Sequence, residues 1–291
     1  AINSIRWVKK EKLERMVGGI SFVKACRLLI VLLCFVQCSP KIRSSIKDPQ
    51  PSLSDEAEVI VLPLEDNQEL KGIEVGELRA SDNGLSKDCT YPEMIALLQE
   101  IARKNGANLI RLIKNREPDI WSTCSRISAV AYRVDNPQKY QLEINWSANR
   151  KLSWEDFKGK VQKQSPYDAE SYCAIIYQTG LVTLFSKAEI IVTNTFDCTK
   201  SWVRADKKTD AILNHEQRHF DLCEIYTRKL RAEFAKHKFY ANSKNKLDSL
   251  FSEFERKYNE AQRRYDEETA HGTKEIEQMG WDSYIDLKLG L

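Results

Sequence analysis

Ile212 to Phe234 reads ILNHEQRHFDLCEIYTRKLRAEF. Its apolar residues set the local fold: Ile212, Cys223, Tyr226, Leu230 and Phe234, with His219 among them, recur at the spacing of one helix face. Inside that stretch His215-Glu216-Gln217-Arg218-His219 is an H-E-x-x-H pattern. Imidazoles at i and i+4 share a face and can hold one metal ion, with the glutamate beside a bound water. Histidines on a core-facing stripe need partners for their ring nitrogens, which zinc supplies. The plainer alternative is a pair of hydrogen-bonded core histidines with Glu216 in a solvated ion pair.

Catalytic zinc takes three protein ligands and leaves one position open, so a third ligand is sought downstream. A second helical stripe runs from about Lys244 to Asp266 through Leu247, Leu250, Phe251, Phe254, Tyr258, Ala261 and Tyr265, after a break near Ala241-Asn242-Ser243. From His219 to Lys236 a helix covers about 26 Å, and from Lys244 to Asp266 about 33 Å. An antiparallel return leg therefore ends level with the motif, where Tyr265-Asp266-Glu267-Glu268-Thr269-Ala270-His271-Gly272 stands. His271, one of four histidines in the chain, is the expected third ligand. Glu224, Asp266 and Glu267 compete as oxygen donors. His237, among lysines at a helix end, reads as a surface residue.

The chain has 291 residues, 42% hydrophobic and 30% charged, with a mean hydropathy of -0.50. That excludes a disordered polyelectrolyte and a multi-spanning membrane protein. A balance of 45 basic against 42 acidic residues is too weak an excess to argue for nucleic acid, where a clustered basic face is expected. Residues 1–38 read as an export segment. Lys24 and Arg27 precede the apolar run Leu28 to Val36, which is too short to span a bilayer. Cys38 and the polar stretch after it are similar to a bacterial lipoprotein signal, with Phe35 and Gln37 departing from the usual pattern; the plainer alternatives are a simply cleaved signal or a buried core helix. Lipidation of Cys38 would anchor the protein to a membrane, and the expected location is the cell envelope or the exterior.

Residues 39–55, rich in Ser, Pro and Lys, read as a flexible tether. Residues 56–136 have a β-β-α-β-β pattern in Glu58 to Leu62, Ile73 to Leu78, Pro92 to Asn105, Leu109 to Ile113 and Ile127 to Val134. They carry no nucleophile, phosphate loop or ligand cluster. Residues 139–291 place strands first, at Leu142 to Trp146, Ala174 to Tyr177 and Ala188 to Phe196, and helices later, an α+β order. In an oxidising compartment this division pairs Cys89 with Cys124 and Cys173 with Cys198, leaving Cys223 free.

Leu152-Ser153-Trp154-Glu155-Asp156-Phe157-Lys158-Gly159, Ser201-Trp202-Val203, Leu213 to Asp221 and Tyr265 to Gly272, in that order, resemble the bacterial family of predicted secreted zinc-dependent proteases, domain of unknown function 922. The likeness covers roughly residues 140–290. Residues 56–136 are similar to a small α/β module found before catalytic domains in exported bacterial proteins. The resemblance implies a zincin-like α+β metallopeptidase domain with long C-terminal helices, acting on a peptide or protein substrate. Zinc on His215, His219 and His271 would activate water, with Glu216 as general base. Tyr265 is a candidate for oxyanion stabilisation, set against a plain core tyrosine. Asp221 is a candidate to orient an imidazole, set against an ion pair. The strand Ala188 to Phe196 is expected at a sheet edge, where it could hold an extended peptide. The rival reading is a non-catalytic cell-envelope lipoprotein, a binding module whose zinc site is structural or inactive.

Overall fold

The computed structural model describes residues 39–291 other than 85, 87–88, 120–121, 123, 180–187, 189 and 241. The export segment and Cys38 lie outside the described residues. The protein is mixed α and β, with four α-helices and three sheets among those residues.

The N-terminal half is a five-stranded sheet in the order β1-β3-β5-β4-β2. Its strands are β1 (Lys41–Ile46), β2 (Ile60–Leu62), β3 (Gly72–Ser81), β4 (Leu109–Arg116) and β5 (Arg126–Val134). Helix α1 (Tyr91–Lys104) packs on one face through Met94, Leu98 and Ala102. Its start is a capping box between Thr90 and Glu93. Beyond its end Gly106, at φ 76°, passes so close to Pro51 that a Cβ would lie 2.5 Å from that carbonyl oxygen.

One expectation needs correcting here. Residues 41–46, read as part of a tether, form a strand paired antiparallel with β3 from Lys41↔Ser81 to Ile46↔Gly76. Its polar composition suits an edge strand, and only Ile42 and Ile46, four apart and so on one face, pack against the core. A two-anchor strand has little apolar signal of its own, and the long partner β3 decides its conformation.

In the C-terminal half, β6 (Glu143–Asn145), β9 (Ile190–Asp197) and β8 (Cys173–Thr179) form one sheet in that order. A two-stranded piece joins β7 (Ala169–Glu170) to β10 (Trp202–Val203). β9 is therefore central. It pairs with β8 from Phe196 to Ile190 and with β6 at its far end, and Arg231 Nε covers the Val192 carbonyl at 2.8 Å. The expected edge strand for a peptide is not β9.

Helix α2 (Asp210–Ala235) starts at Thr209, whose hydroxyl accepts from the Ile212 amide at 3.3 Å. It lies across β9, where Asn194 Nδ2 donates to the Phe220 carbonyl at 3.0 Å and the Phe196 and Phe220 rings meet at 5.7 Å. Helix α3 (Lys244–Thr269) returns antiparallel to it, and α4 (Glu275–Leu289) closes the other side through Leu222, Ile225, Ile285 and Leu289. Arg218 ties α2 to α4 through Asp282 (3.1 Å) and Asp286 (2.6 Å). On the outer face of α3 the charges pair with one another at i,i+4, as in Lys257–Glu253, Arg256–Glu260, Arg263–Glu267 and Arg264–Glu268. Such exposed pairs contribute little each.

Cys89 and Cys124 form the expected disulfide. Cys173 and Cys198 do not pair; both are free, as is Cys223. The register explains it: Cys173 faces Phe196, so Cys198 is its diagonal neighbour. Diagonal positions lie roughly 7–8 Å apart, beyond the usual Cα separation of a disulfide.

Two outcomes follow. Denatured without reductant, the protein should alkylate at Cys173, Cys198 and Cys223 and remain protected at Cys89 and Cys124. A Cys173–Cys198 peptide in the mass spectrum would contradict this arrangement. Replacing Cys89 by Ser opens a 35-residue separation and should cost about 3–4 kcal/mol in chemical denaturation.

Candidate metal centre

The i,i+4 spacing brings both motif imidazoles to one face of α2, and the fold-back of α3 brings Asp266 against them. His215 Nε2 and His219 Nε2 lie 3.1 Å apart. Asp266 Oδ1 is 3.2 Å from the first and 3.0 Å from the second. Among the described residues these three form the one group of three or more His, Cys, Asp or Glu ligand atoms within 4.8 Å of one another.

Each imidazole is oriented by its other nitrogen. His215 Nδ1 donates to Gln278 Oε1 at 3.1 Å. Gln278 Nε2 donates to the Tyr265 oxygen at 2.8 Å, and the Tyr265 hydroxyl donates to the His215 carbonyl at 3.3 Å. The second histidine repeats the pattern. His219 Nδ1 donates to Gln262 Oε1 at 2.8 Å, Gln262 Nε2 to the Tyr258 oxygen at 2.7 Å, and the Tyr258 hydroxyl to the Cys173 carbonyl at 3.3 Å. In both relays the glutamine keeps the ring proton on Nδ1 and turns the Nε2 lone pair inward. The neutral pair and Asp266 thus present three acceptors to one another with no hydrogen between them, an arrangement that calls for a cation or a proton.

In the metal-free protein a proton serves. Burial opposes the charged form of His219, but the hydrogen bond and negative charge of Asp266, aided by Glu216, outweigh it and raise the imidazole to about 9. Burial likewise opposes ionisation of Asp266, yet its close polar contacts with the two imidazoles, His215 and His219, hold its carboxyl well below the usual carboxylate range. Because the folded His219 value exceeds the ordinary 6.5, the stability it adds is complete below 6.5 and is lost as the pH rises through about 9.

Glu216 is 4% exposed and its Oε2 is buried without a hydrogen-bond partner. An unsolvated carboxylate oxygen costs several kcal/mol, so its survival in a residue that lines the same cleft as the three ligand atoms points to a group absent from the protein chain alone. The donor set and this orphaned oxygen fit a divalent cation with a water beside it.

The turn after α3 is strained. Ala270 (φ 46°) and His271 (φ 55°) are left-handed without being glycine, at roughly 1–3 kcal/mol each. Gly272 follows at φ 79°, and a Cβ there would sit 3.0 Å from the His215 Cβ and 3.2 Å from its Nδ1. The turn is thus packed closely against His215.

His271 is not part of the convergent trio. It is half exposed, its Nδ1 lies 3.3 Å from Asp266 Oδ1, and its ring packs on Tyr167 at 4.7 Å. Asp266, not His271, completes the convergent trio, and His271 stands beside it in the left-handed turn after α3. Tyr265 is also placed differently from the oxyanion expectation. It is fully buried, stacks on His215 at 4.6 Å, and turns its hydroxyl to Gln278 and the His215 carbonyl rather than to the cleft. Asp221 touches no imidazole; it accepts from Trp146 Nε1 and Gln217 Nε2, each at 2.8 Å, and from Arg218. Glu224 is held by Arg228 and Arg231, and Glu267 by Arg263. His237 sits near Glu233 and Lys246 at the end of α2, away from the site.

Gln262, Gln278 and Tyr258 escaped sequence reasoning. Tyr258, Gln262 and Asp266 are spaced i, i+4, i+8, so a polar stripe through the return helix was there to be found. Gln278 lies beyond the turn on α4, with no periodic link to the motif.

A cleft of about 790 Å³ contains the site, lined by residues 166–171, by α2 and α3, and by the turn between α3 and α4. Residues 185–272 match a family model described as bacterial protein of unknown function (DUF922), a span that includes β9, the motif helix, Asp266 and the strained turn. No curated protein and no solved structure matches the chain.

Replacing Gln262 or Gln278 by Leu should weaken metal binding by about 10–100-fold, measured by competition with a chelating dye. Metal uptake must displace the His219 proton, so affinity should rise by about tenfold per pH unit up to pH 9. A flat profile between pH 6 and 9 would mean that His219 does not ligate.

Proposed function

We propose that the protein is a zinc-dependent peptidase. The carrying observation is the buried, unpartnered Glu216 oxygen, on a residue that lines one cleft with three mutually convergent ligand atoms. His215, His219 and Asp266 would hold the zinc. When bound, the metal supplies Lewis-acid polarisation of a water and of a substrate carbonyl. Glu216 accepts a proton from the attacking water and delivers it to the leaving amine as the carbon–nitrogen bond breaks. Gln262 and Gln278 hold both imidazoles in the tautomer that ligates, and Tyr265 and Tyr258 hold the glutamines. The burial of Glu216 excludes bulk water from the base.

A peptide has a strand to dock against. β7 is paired with β10 on one side only and lines the cleft, so its other edge can take an extended segment by strand addition. The Cys89–Cys124 disulfide supports an oxidising compartment and agrees with export, with Cys38 as the lipid attachment point.

Glu216→Gln should leave zinc content unchanged by elemental analysis and lower peptide hydrolysis by about 10²–10⁴-fold. Asp266→Asn should lose most of the zinc, His271→Ala should keep most of it, and Glu224→Ala should behave as wild type. A protein that binds zinc through these residues and cleaves no peptide in a mixed library would instead be a non-catalytic envelope binding module.

A further inference from the structure

The charge of the cleft departs from that of the chain. The whole protein carries +3, yet the residues lining the cleft include Asp168, Glu170, Glu216, Asp266 and Glu275 and no lysine or arginine. Some of this charge is committed. Asp266 faces the two histidines, Glu216 is the base, and Asp168 is paired with Lys207 at 3.2 Å. Glu170 gives only Oε2 to Trp202 Nε1, at 3.1 Å, and Glu275 is an exposed residue at the start of α4. Even with a divalent cation bound and Asp168 neutralised by Lys207, two negative charges remain. Glu170 and Glu275 come from two segments of the lining that are in contact where Tyr167 packs on His271. That the cleft receives a ligand rests on a separate observation, the buried Glu216 oxygen without a partner.

We infer that this cleft selects peptides with lysine or arginine side chains flanking the bond to be cut and rejects acidic ones. The inference rests on the peptidase reading and adds the substrate class. Glu170 and Glu275 face the solvent-filled cleft with an uncommitted oxygen or a whole carboxylate, so a basic side chain gains charge-assisted hydrogen bonds there. An acidic side chain would meet like charge beside low-dielectric walls, which discriminates by repulsion as much as by attraction.

The test uses the full chain carrying Glu216→Gln, so that peptides persist, with and without added zinc. Fluorescent peptides of one length, differing only in lysine, serine or aspartate around a common centre, are titrated by anisotropy. The lysine peptide should bind at least about tenfold more tightly than the aspartate peptide at low salt, and the gap should shrink in 0.5 M salt. Adding Glu170→Gln and Glu275→Gln, which keep the Trp202 acceptor and alter only surface charge, should reduce the gap by about threefold or more. Equal affinities, a preference for aspartate, binding of none of the peptides, or a gap untouched by the two substitutions would overturn the inference. The same peptides given to the wild-type chain separate the two levels. Charge-selective binding without cleavage would remove the peptidase reading alone, and cleavage without charge preference would remove the selectivity alone.

Discussion

Three electron-pair donors on two helices, His215 Nε2, His219 Nε2 and Asp266 Oδ1, face one another at 3.0–3.2 Å. Left to themselves they repel, and in water they would part. The protein holds them together by spending its interior polar groups on the outer nitrogens of both rings. Each histidine has its own glutamine, each glutamine its own tyrosine, and each tyrosine its own backbone carbonyl. Every donor in these two chains has an acceptor, so the relays can lie in the core without a desolvation penalty and still leave the inner face of the site unsatisfied.

Much of the C-terminal half serves this convergence. α2 must lie on β9 to be rigid, α3 must return to deliver Asp266 and Gln262, and α4 must close to deliver Gln278. The Arg218 network with Asp282 and Asp286 fixes α4 against α2. α3 ends at Thr269, three residues past Asp266; the left-handed residues Ala270 and His271 follow, and Gly272 allows the turn to touch His215. Strain at this turn is offset by hydrogen bonds such as Lys274 N to Thr269 O at 2.9 Å. The N-terminal sheet contributes no residue to the cleft; its own core is a separate cluster stapled by Cys89–Cys124.

The same convergence explains the acid–base character of the site. A metal-free cluster of this kind takes up a proton, which is why His219 is raised to about 9 and Asp266 is held low. Glu216, one residue along from the first ligand, shares the burial but has an oxygen with no donor. It is the group in the cluster left with unused capacity, which suits the general-base role proposed for it.

Local periodicity by itself determined the two long helices, the shared face of His215 and His219, the position of Glu216 beside them, and the antiparallel return that ends at Tyr265–His271. These depend on spacing within one helix, which a sequence states directly. It determined four of the five strands of the first sheet for the same reason. β1 needed the tertiary structure because its conformation comes from pairing with β3 rather than from its own apolar content. That Asp266 rather than His271 converges with the two histidines goes with a turn of two left-handed residues that no periodicity encodes. The separation of Cys173 from Cys198 was decided by strand register, and the glutamine–tyrosine relays by the packing of three helices. Each of these is a contact between residues far apart in the chain, set by how whole elements dock, so the information that selects it is distributed over the core and not written at the residues themselves.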